Sequence, residues 1–286
     1  MAASSRSPRA RALCSALREA RIASGTGVRE LGRMLGISNT MISLWENGHR
    51  VPNVEQVAMI LAAVRVAPDE RERILSLARN VEEPNWLTVG IEGLPQQLAG
   101  AIECERAASS IVEWIPLGVP GLLQTSDYAR AVKRSDDLPE KDVELRVMVA
   151  AGRRDVITRV NDPVRFEALL SQATLSEPVG SPEVMADQLR HLNLLGSRAN
   201  VTVRVVPQGI GWHPGWAGPF ILFEFPDAPP VVHFEHYSSG AFVPTEHDVA
   251  AYRTALDRLR DLARSPEESA DLIAKAAHEM EVRRDD

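Results

Sequence analysis

The stretch GVRELGRMLGISNTMISLWENGHRVPNVEQV, residues 27–57, decides how this chain is read. From Val28 to Leu35 the apolar residues Leu31 and Leu35 fall four apart, the spacing of one helical face. Gly36, Ile37 and Ser38 then make a tight turn, and Ser38 is a good N-cap for a following helix. That helix runs Asn39–Asn47 and is closed by Gly48. Pro52 and Asn53 open a fourth helix, with Val54, Val57, Leu61 and Val64 facing inward. Working outward, residues 9–23 form a first amphipathic helix through Leu13, Leu17 and Ala20, ended by Ser24 and Gly25. A fifth follows Pro68 through Ile74 and Leu77.

Two short helices across a three-residue turn match a helix-turn-helix, with Leu31, Ile37 and Ile42 as its buried contacts. The third helix is then the recognition helix. Ser38, Asn39, Thr40 and Met41 lie at its start, and Ser43 and Leu44 follow one turn on. Residues at the start of such a helix meet base edges. Asn can pair with adenine, and Thr or Met can pack on a thymine methyl. His49 and Arg50 after the helix, and Arg29 and Arg33 on the preceding one, are candidates for phosphate contact. The plainer reading of the same pattern is a small helical bundle with no nucleic-acid role. Charge distribution favours the first. Residues 1–50 hold eight arginines and three glutamates, an excess of five positive charges, whereas the chain as a whole carries −7. The other residues therefore sum to −12, so a basic head sits on an acidic body and suits phosphate binding at one end.

Trp45-Glu46-Asn47-Gly48, followed by His49, Arg50 and Pro52, sharpens this reading. The segment resembles the helix-turn-helix of the XRE, or lambda-repressor-like, family over about residues 13–78. The resemblance implies a five-helix all-α domain that binds double-stranded DNA, with Glu46 tying the recognition helix to its surroundings. One departure matters. Members often begin the second helix with Ser/Thr-Gln, whose Gln grips phosphate, where this chain has Gly27 and Val28.

The chain has 286 residues, enough for two domains. No run of eighteen apolar residues appears, which argues against a membrane span. The N-terminal MAASSRSPRARAL has arginines without an apolar signal core, so a cytoplasmic protein is expected. Cys14 and Cys104 suggest neither a disulfide scaffold nor a zinc finger. The expected division is a DNA-binding domain over 1–81, a linker over 82–91 and a larger domain over 92–286.

Beyond the linker, helices are expected from Glu92 to about Ser109, over Ser126–Arg134, from Pro139 through Arg153, and after Ser181-Pro182 with Met185, Leu189, Leu192 and Leu195 as apolar stripe. Strands are expected at Ile111–Ile115, Val164–Leu170, 201–206, 219–225 and 230–235, and helices at about 246–263 and 266–282. Mixed order without regular βαβ spacing favours a mixed α+β domain over a doubly wound sheet. Several pieces, among them VPGLLQTSDYARAV at 119–132, ATLSEPVGSPEVMADQLRHL at 173–192, VTVRVVPQGIGWHP at 201–214 and FILFEFPDAPPVVHFE at 220–235, resemble a domain of unknown function found behind the helix-turn-helix in actinomycete regulators of the Scr1 antitoxin-like type. That resemblance implies a small protein partner. The family's Arg-x-x-Arg-Gln run is reduced here to Arg153 within Ala150–Arg154.

No phosphate-binding glycine fingerprint and no His-Glu-x-x-His pattern occur, and no cofactor is expected. His213, between Trp212 and Trp216, invites a catalytic reading, but no carboxylate or nucleophile stands at a compelling spacing. The plainer reading is a surface loop whose tryptophans cap the core. On a strand His233 and Glu235 share a face and His236 points away, a poor chelating set. One buried and one exposed histidine is the simpler expectation. A sensing pocket fits better than an active site. Trp114, Tyr128, Trp212, Trp216, Phe220, Phe223 and Tyr237 would supply apolar walls. The expected ligand contacts are Gln124, Tyr128, Arg153, Trp212, His213, Trp216 and Glu235. The whole reads as a non-enzymatic transcriptional regulator, expected to act as a homodimer on an operator, with a small molecule or small protein as further partner. The alternative is an antitoxin-like protein that neutralises a small partner and autoregulates its operon.

Overall fold

A computed structural model of the chain describes residues 8–79, 86–89, 96–136, 138–226, 228–236 and 239–285. Five helices come first: α1 (Pro8–Ala23), α2 (Val28–Leu35), α3 (Asn39–Glu46), α4 (Val54–Ala63) and α5 (Pro68–Arg79). Leu13, Leu17, Leu31, Ile42, Trp45, Val57, Leu61 and Ile74 are buried between them, whereas Ile37, Leu35 and Val54 are half-buried at the margin. The caps follow the local chemistry. Ser38 accepts a hydrogen bond from the backbone N–H of Met41, and Asn53 and Gln56 form a reciprocal capping box. Gly36 takes φ 66°, the left-handed conformation that lets α2 stop sharply before the turn.

The larger part is built on a seven-stranded mixed sheet in the order β1-β7-β6-β5-β2-β3-β4. Its strands are β1 (Trp86–Val89), β2 (Ser110–Ile115), β3 (Arg165–Ser171), β4 (Val201–Val206), β5 (Phe220–Glu224), β6 (Val231–Glu235) and β7 (Ser239–Val243). β2, β3 and β4 run parallel, and the remaining pairs are antiparallel. The parallel pairs need crossovers. One passes through α7 (Ser126–Arg134), α8 (Glu140–Arg153) and α9 (Asp155–Thr158). The other passes through α10 (Ala173–Ser176) and α11 (Pro182–Gly196). α6 itself spans Gln96–Ala107, and α12 (Glu246–Leu262) and α13 (Pro266–Asp285) complete the chain. An all-α five-helix domain is thus followed by a mixed α/β domain.

The strands alternate their side chains between two layers. Val112, Trp114, Leu169, Phe220, Leu222 and Val232 pack against Val249, Leu256 and Leu259 of α12. Ile111, Phe166, Ala168, Val203, Phe223 and Phe242 face the opposite way, toward the layer that holds Leu189 and Leu192 of α11 and Ile273 and Met280 of α13. The helical domain abuts this second layer through α1 and α6, where Arg106 lies 3.9 Å from Glu19. Cys14 and Cys104 are buried thiols near that contact, and burial pushes the Cys14 thiol up to about 12.

Two strands lie beyond the five expected from the sequence. Residues 86–89, inside the segment expected to be a linker over 82–91, pair antiparallel with β7 from Trp86↔Phe242 to Val89↔Ser239. The other residues of that segment lie outside those described. β7 itself was missed because Ser239-Gly240-Ala241-Phe242-Val243 carries weak strand propensity, and its neighbours on both sides fix it.

Candidate nucleic-acid interface and ligand cavity

The recognition helix α3 is held by chemistry on its inner side. Ile42 and Trp45 are buried. The Arg21 guanidinium grips both oxygens of Glu46, at 2.6 and 2.8 Å, and also donates to the Thr26 carbonyl at 3.0 Å. Both side chains are almost fully enclosed, 11% and 8% exposed. Arg21, on α1, carries no motif of its own that would mark it in the sequence. At 3.6 residues per turn the outward face of α3 is then Thr40, Ser43, Leu44 and Asn47. Thr40 and Asn47 are exposed, and the Asn47 amide donates to Ser43 Oγ at 3.1 Å. Asn47 extends this face beyond Leu44, the last of the contacts expected on α3.

The other predicted contacts separate by position. Ser38 and Asn39 are exposed at the start of α3, but the Asn39 carboxamide lies over Gly32 of α2. Met41 is half-buried beneath Arg50, whose Nη1 stands 3.9 Å from its sulfur. Arg29 and Arg33 are exposed along α2, and His49 and Arg50 just beyond α3, so cations flank the helix on two sides. Gly27 is the N-cap of α2 and contributes no side-chain cap bond, in keeping with the departure at Gly27-Val28.

In the second domain the seven predicted ligand contacts divide between two faces of the sheet. Gln124, Arg153 and Glu235 line one cavity of about 200 Å³ on the α8 side. Tyr128 is buried in the core rather than among its walls. Trp212, His213 and Trp216 lie on the α12 side, where His213 packs edge-on between the rings of Trp114 and Trp216. Trp212 and Trp216 are 79% and 69% exposed, so they do not cap the core. Gly215 does so instead: its carbonyl accepts the Trp114 indole N–H at 2.9 Å, with the glycine flush against the ring. Trp114, Phe220 and Phe223 are core residues, and Tyr237 lies outside the described residues.

The cavity is floored by the sheet. Glu113 on β2 pairs with Ile221 on β5, and Ile221 pairs with His233 on β6, so all three point into it from one transverse row. Leu98 and Ala101 of α6 and Val149 and Ala150 of α8 supply apolar walls. Arg153 closes one side, forming a bidentate pair with Glu105 at 2.6 and 3.0 Å. Burial alone would lower the Arg153 pKa, but the charge and hydrogen bonds of Glu105, aided by Glu235 and Glu113, hold it above its ordinary value. Burial pushes the Glu113 carboxyl up to about 8, with the charge of Glu235 adding to the rise. His233 is 1% exposed and stacks on Phe242 at 4.3 Å. Neither of its ring nitrogens has a hydrogen-bond partner, and burial with the Arg153 charge brings its pKa down to about 4.

Sequence reasoning missed Glu113, though a signal existed: in Ser110–Ile115 a carboxylate sits between Ile111 and Ile115 on the face those residues bury. His236 is exposed, so the His233, Glu235 and His236 set does not converge. Among the described residues no group of three or more His, Cys, Asp or Glu side chains is placed to hold a metal ion.

The model of a domain of unknown function, DUF5753, matches residues 98–275, most of the chain and all of this cavity. The chain belongs to the DUF5753 family. A helix-turn-helix family matches residues 17–71, ahead of the DUF5753 domain. No curated protein matches the chain. Among solved structures, that of TrmBL2, an archaeal chromatin protein described as showing a novel mode of DNA binding, is similar at 13% identity. The alignment covers 87% of this chain and 92% of that one with a TM-score of 0.32, too loose to bear on fold or function. Among the described residues no helix is long and apolar enough to cross a membrane.

Proposed function

We propose that this protein is a sequence-specific transcriptional regulator of the XRE type, binding a double-stranded operator as a homodimer in the cytoplasm, and that its DUF5753 domain senses a small molecule or a protein partner. The observation that carries the proposal is the outward face of α3, Thr40, Ser43 and Asn47, bracketed by the exposed cations Arg29, Arg33 and Arg50. Ser38, Asn39, Met41, Leu44 and His49 complete the contact set. One short recognition helix reads few bases, which favours paired half-sites and two copies. We set the DNA-binding unit at 1–81, and the sensing unit at 92–286 with strand β1 from the intervening segment added to its sheet.

Capture of genomic fragments by the purified chain, followed by titration of the best fragment at two salt concentrations, tests this. A short palindrome with a steep salt slope is expected. Asn39→Ala with Thr40→Ala should alter sequence preference, whereas Arg50→Ala should weaken binding to all sequences alike. Capture without a motif, or indifference to both changes, overturns the assignment of α3.

A second reading has one observation in its favour. Trp212 and Trp216 stand exposed on a glycine-rich loop, the kind of aromatic pair that anchors protein interfaces. It supports an antitoxin-like role of the Scr1 type, in which a small protein is the main partner and DNA binding is autoregulatory. Co-purification of a small neighbour-encoded protein, lost on Trp212→Ala with Trp216→Ala, would favour that reading.

A further inference from the structure

The cavity beneath α8 holds an arrangement that the DNA-binding reading does not use. Its sheet floor presents two carboxylates, Glu113 and Glu235, and one imidazole, His233, whose nitrogens are buried and unpartnered. Buried polar atoms are nearly always satisfied. A buried imidazole with two open nitrogens therefore points to a partner that arrives from outside the chain.

The sign of that partner follows from the charges facing it. From β2 comes Glu113, from β6 Glu235 and from α8 Arg153, which is already paired with Glu105 of α6. Lys133 of α7 and Arg146 of α8 complete the charged lining. Arg146 stands seven residues from Arg153, about 10 Å along the helix axis, and so lies toward another end of the cavity. Arg153, whose charge reaches Glu113 and His233, is neutralised by Glu105, which leaves Glu235 and His233 as the acceptors facing Glu113. Its row neighbour His233 lies two strands away, about 10 Å between backbones, with Ile221 between them, so a small group that both side chains reach sits above the Ile221 side chain.

We propose that this cavity binds a small primary amine, its ammonium group held by Glu113, Glu235 and His233 and its short apolar body lying against Leu98, Ile115 and Val149. The inference rests on the sensing role proposed above and names its ligand chemistry. A primary ammonium has three N–H donors, and two carboxylates with one neutral imidazole offer three acceptors. The volume of about 200 Å³ lies below the roughly 300–1,000 Å³ of drug-sized sites, so the ligand has few heavy atoms. Lys133 disfavours a second positive charge, so a monoamine is preferred to a diamine of equal length. Burial and the charge of Glu235 keep the proton on Glu113 up to about pH 8. At pH 7 the ammonium takes the place of that proton, which leaves to solvent.

Titration calorimetry of the full chain without DNA tests this, at pH 7 in two buffers of different ionisation enthalpy. The probes are n-butylammonium, 1,4-diaminobutane, butanol and butyrate. Saturable binding of butylammonium with net proton release is expected, with the diamine weaker and butanol and butyrate weaker still. Glu113→Gln should lose about tenfold to a hundredfold in affinity, the effect of removing a charge-assisted hydrogen bond, and should abolish the proton release. Glu235→Gln, at an exposed strand end that tolerates the change, should lose affinity while keeping the proton release. Butylammonium binding no tighter than butanol, butyrate binding tighter than the amine, or proton release persisting in Glu113→Gln would each overturn the proposal. Operator binding is measured separately, so failure here with DNA binding intact removes the amine site alone.

Discussion

Gly32 and Asn39 approach so closely that a β-carbon on Gly32 would stand 2.5 Å from Asn39 Oδ1 and 2.8 Å from the Ile37 carbonyl oxygen. The contact sets how α2 meets the start of the recognition helix. The asparagine can swing aside; the Ile37 carbonyl, which accepts no freedom from the tight turn, cannot. Gly32→Ala should therefore destabilise the helical domain by about 1–3 kcal/mol despite alanine's better helix propensity. Combining it with Asn39→Ala should recover only part of that loss. Urea denaturation of the single and double variants measures both, and full recovery would show that the backbone contact is not limiting.

The Arg21–Glu46 pair fixes the other end of α3 to α1. Removing either partner leaves the other enclosed and uncompensated, so Arg21→Ala and Glu46→Ala should each cost about 3 kcal/mol. The double variant should cost much less than the two singles added together. A double-mutant cycle read by chemical denaturation provides the check, and additive losses would mean that the pair contributes nothing of its own.

On the opposite side of the sheet, a β-carbon on Gly215 would lie 2.5 Å from the Trp114 ring. The ring is locked in the core and cannot yield. Gly215→Ala should destabilise the α/β domain by about 1–3 kcal/mol, whereas Trp114→Phe should cost about 1–3 kcal/mol through a smaller ring and the lost indole hydrogen bond to the Gly215 carbonyl. Near-ultraviolet circular dichroism should report the first as a change in the tryptophan environment. An unaltered spectrum together with unaltered stability would contradict this packing.

Stability should depend on pH through the cavity in two opposed ways. Glu113 binds its proton more tightly folded than unfolded, so its contribution is full below its ordinary value of 4.5 and is lost as pH rises toward about 8. His233 behaves oppositely. Its contribution is full above 6.5 and is lost as pH falls toward about 4. Glu113→Gln should flatten the neutral limb of the stability profile and His233→Phe the acid limb. Denaturation midpoints from pH 4 to 8.5 would show either limb unchanged if its assignment were wrong.

How far the sequence speaks for itself can be judged element by element. The boundaries of α2, α7 and β4 follow from local signals alone: periodic leucines, the Thr125 cap and a run of alternating valines. Short-range chemistry suffices there because propensity, capping and burial agree. Strands β1 and β7 are different. Their residues become strands through one another's hydrogen bonds and through β6, partners that no local window contains.

The same division holds for the two candidate sites. The recognition helix was legible because its residues are contiguous, and a helix of known period converts spacing directly into a face. Its anchor Arg21 was not, since the partner Glu46 lies 25 residues away. The cavity was legible only in part. Gln124, Arg153 and Glu235 were expected together and do meet, but Trp212, His213 and Trp216 fall on the other side of the sheet. Which side a loop reaches depends on strand order, and strand order is decided by the pairing of β2 with both β3 and β5. The sequence by itself determined an arginine-rich helix-turn-helix ahead of a mixed α/β body. Tertiary structure alone decided that Glu113, Ile221 and His233 stand in one row, because lateral register between strands distant in sequence comes from the hydrogen-bond ladder and not from any local pattern.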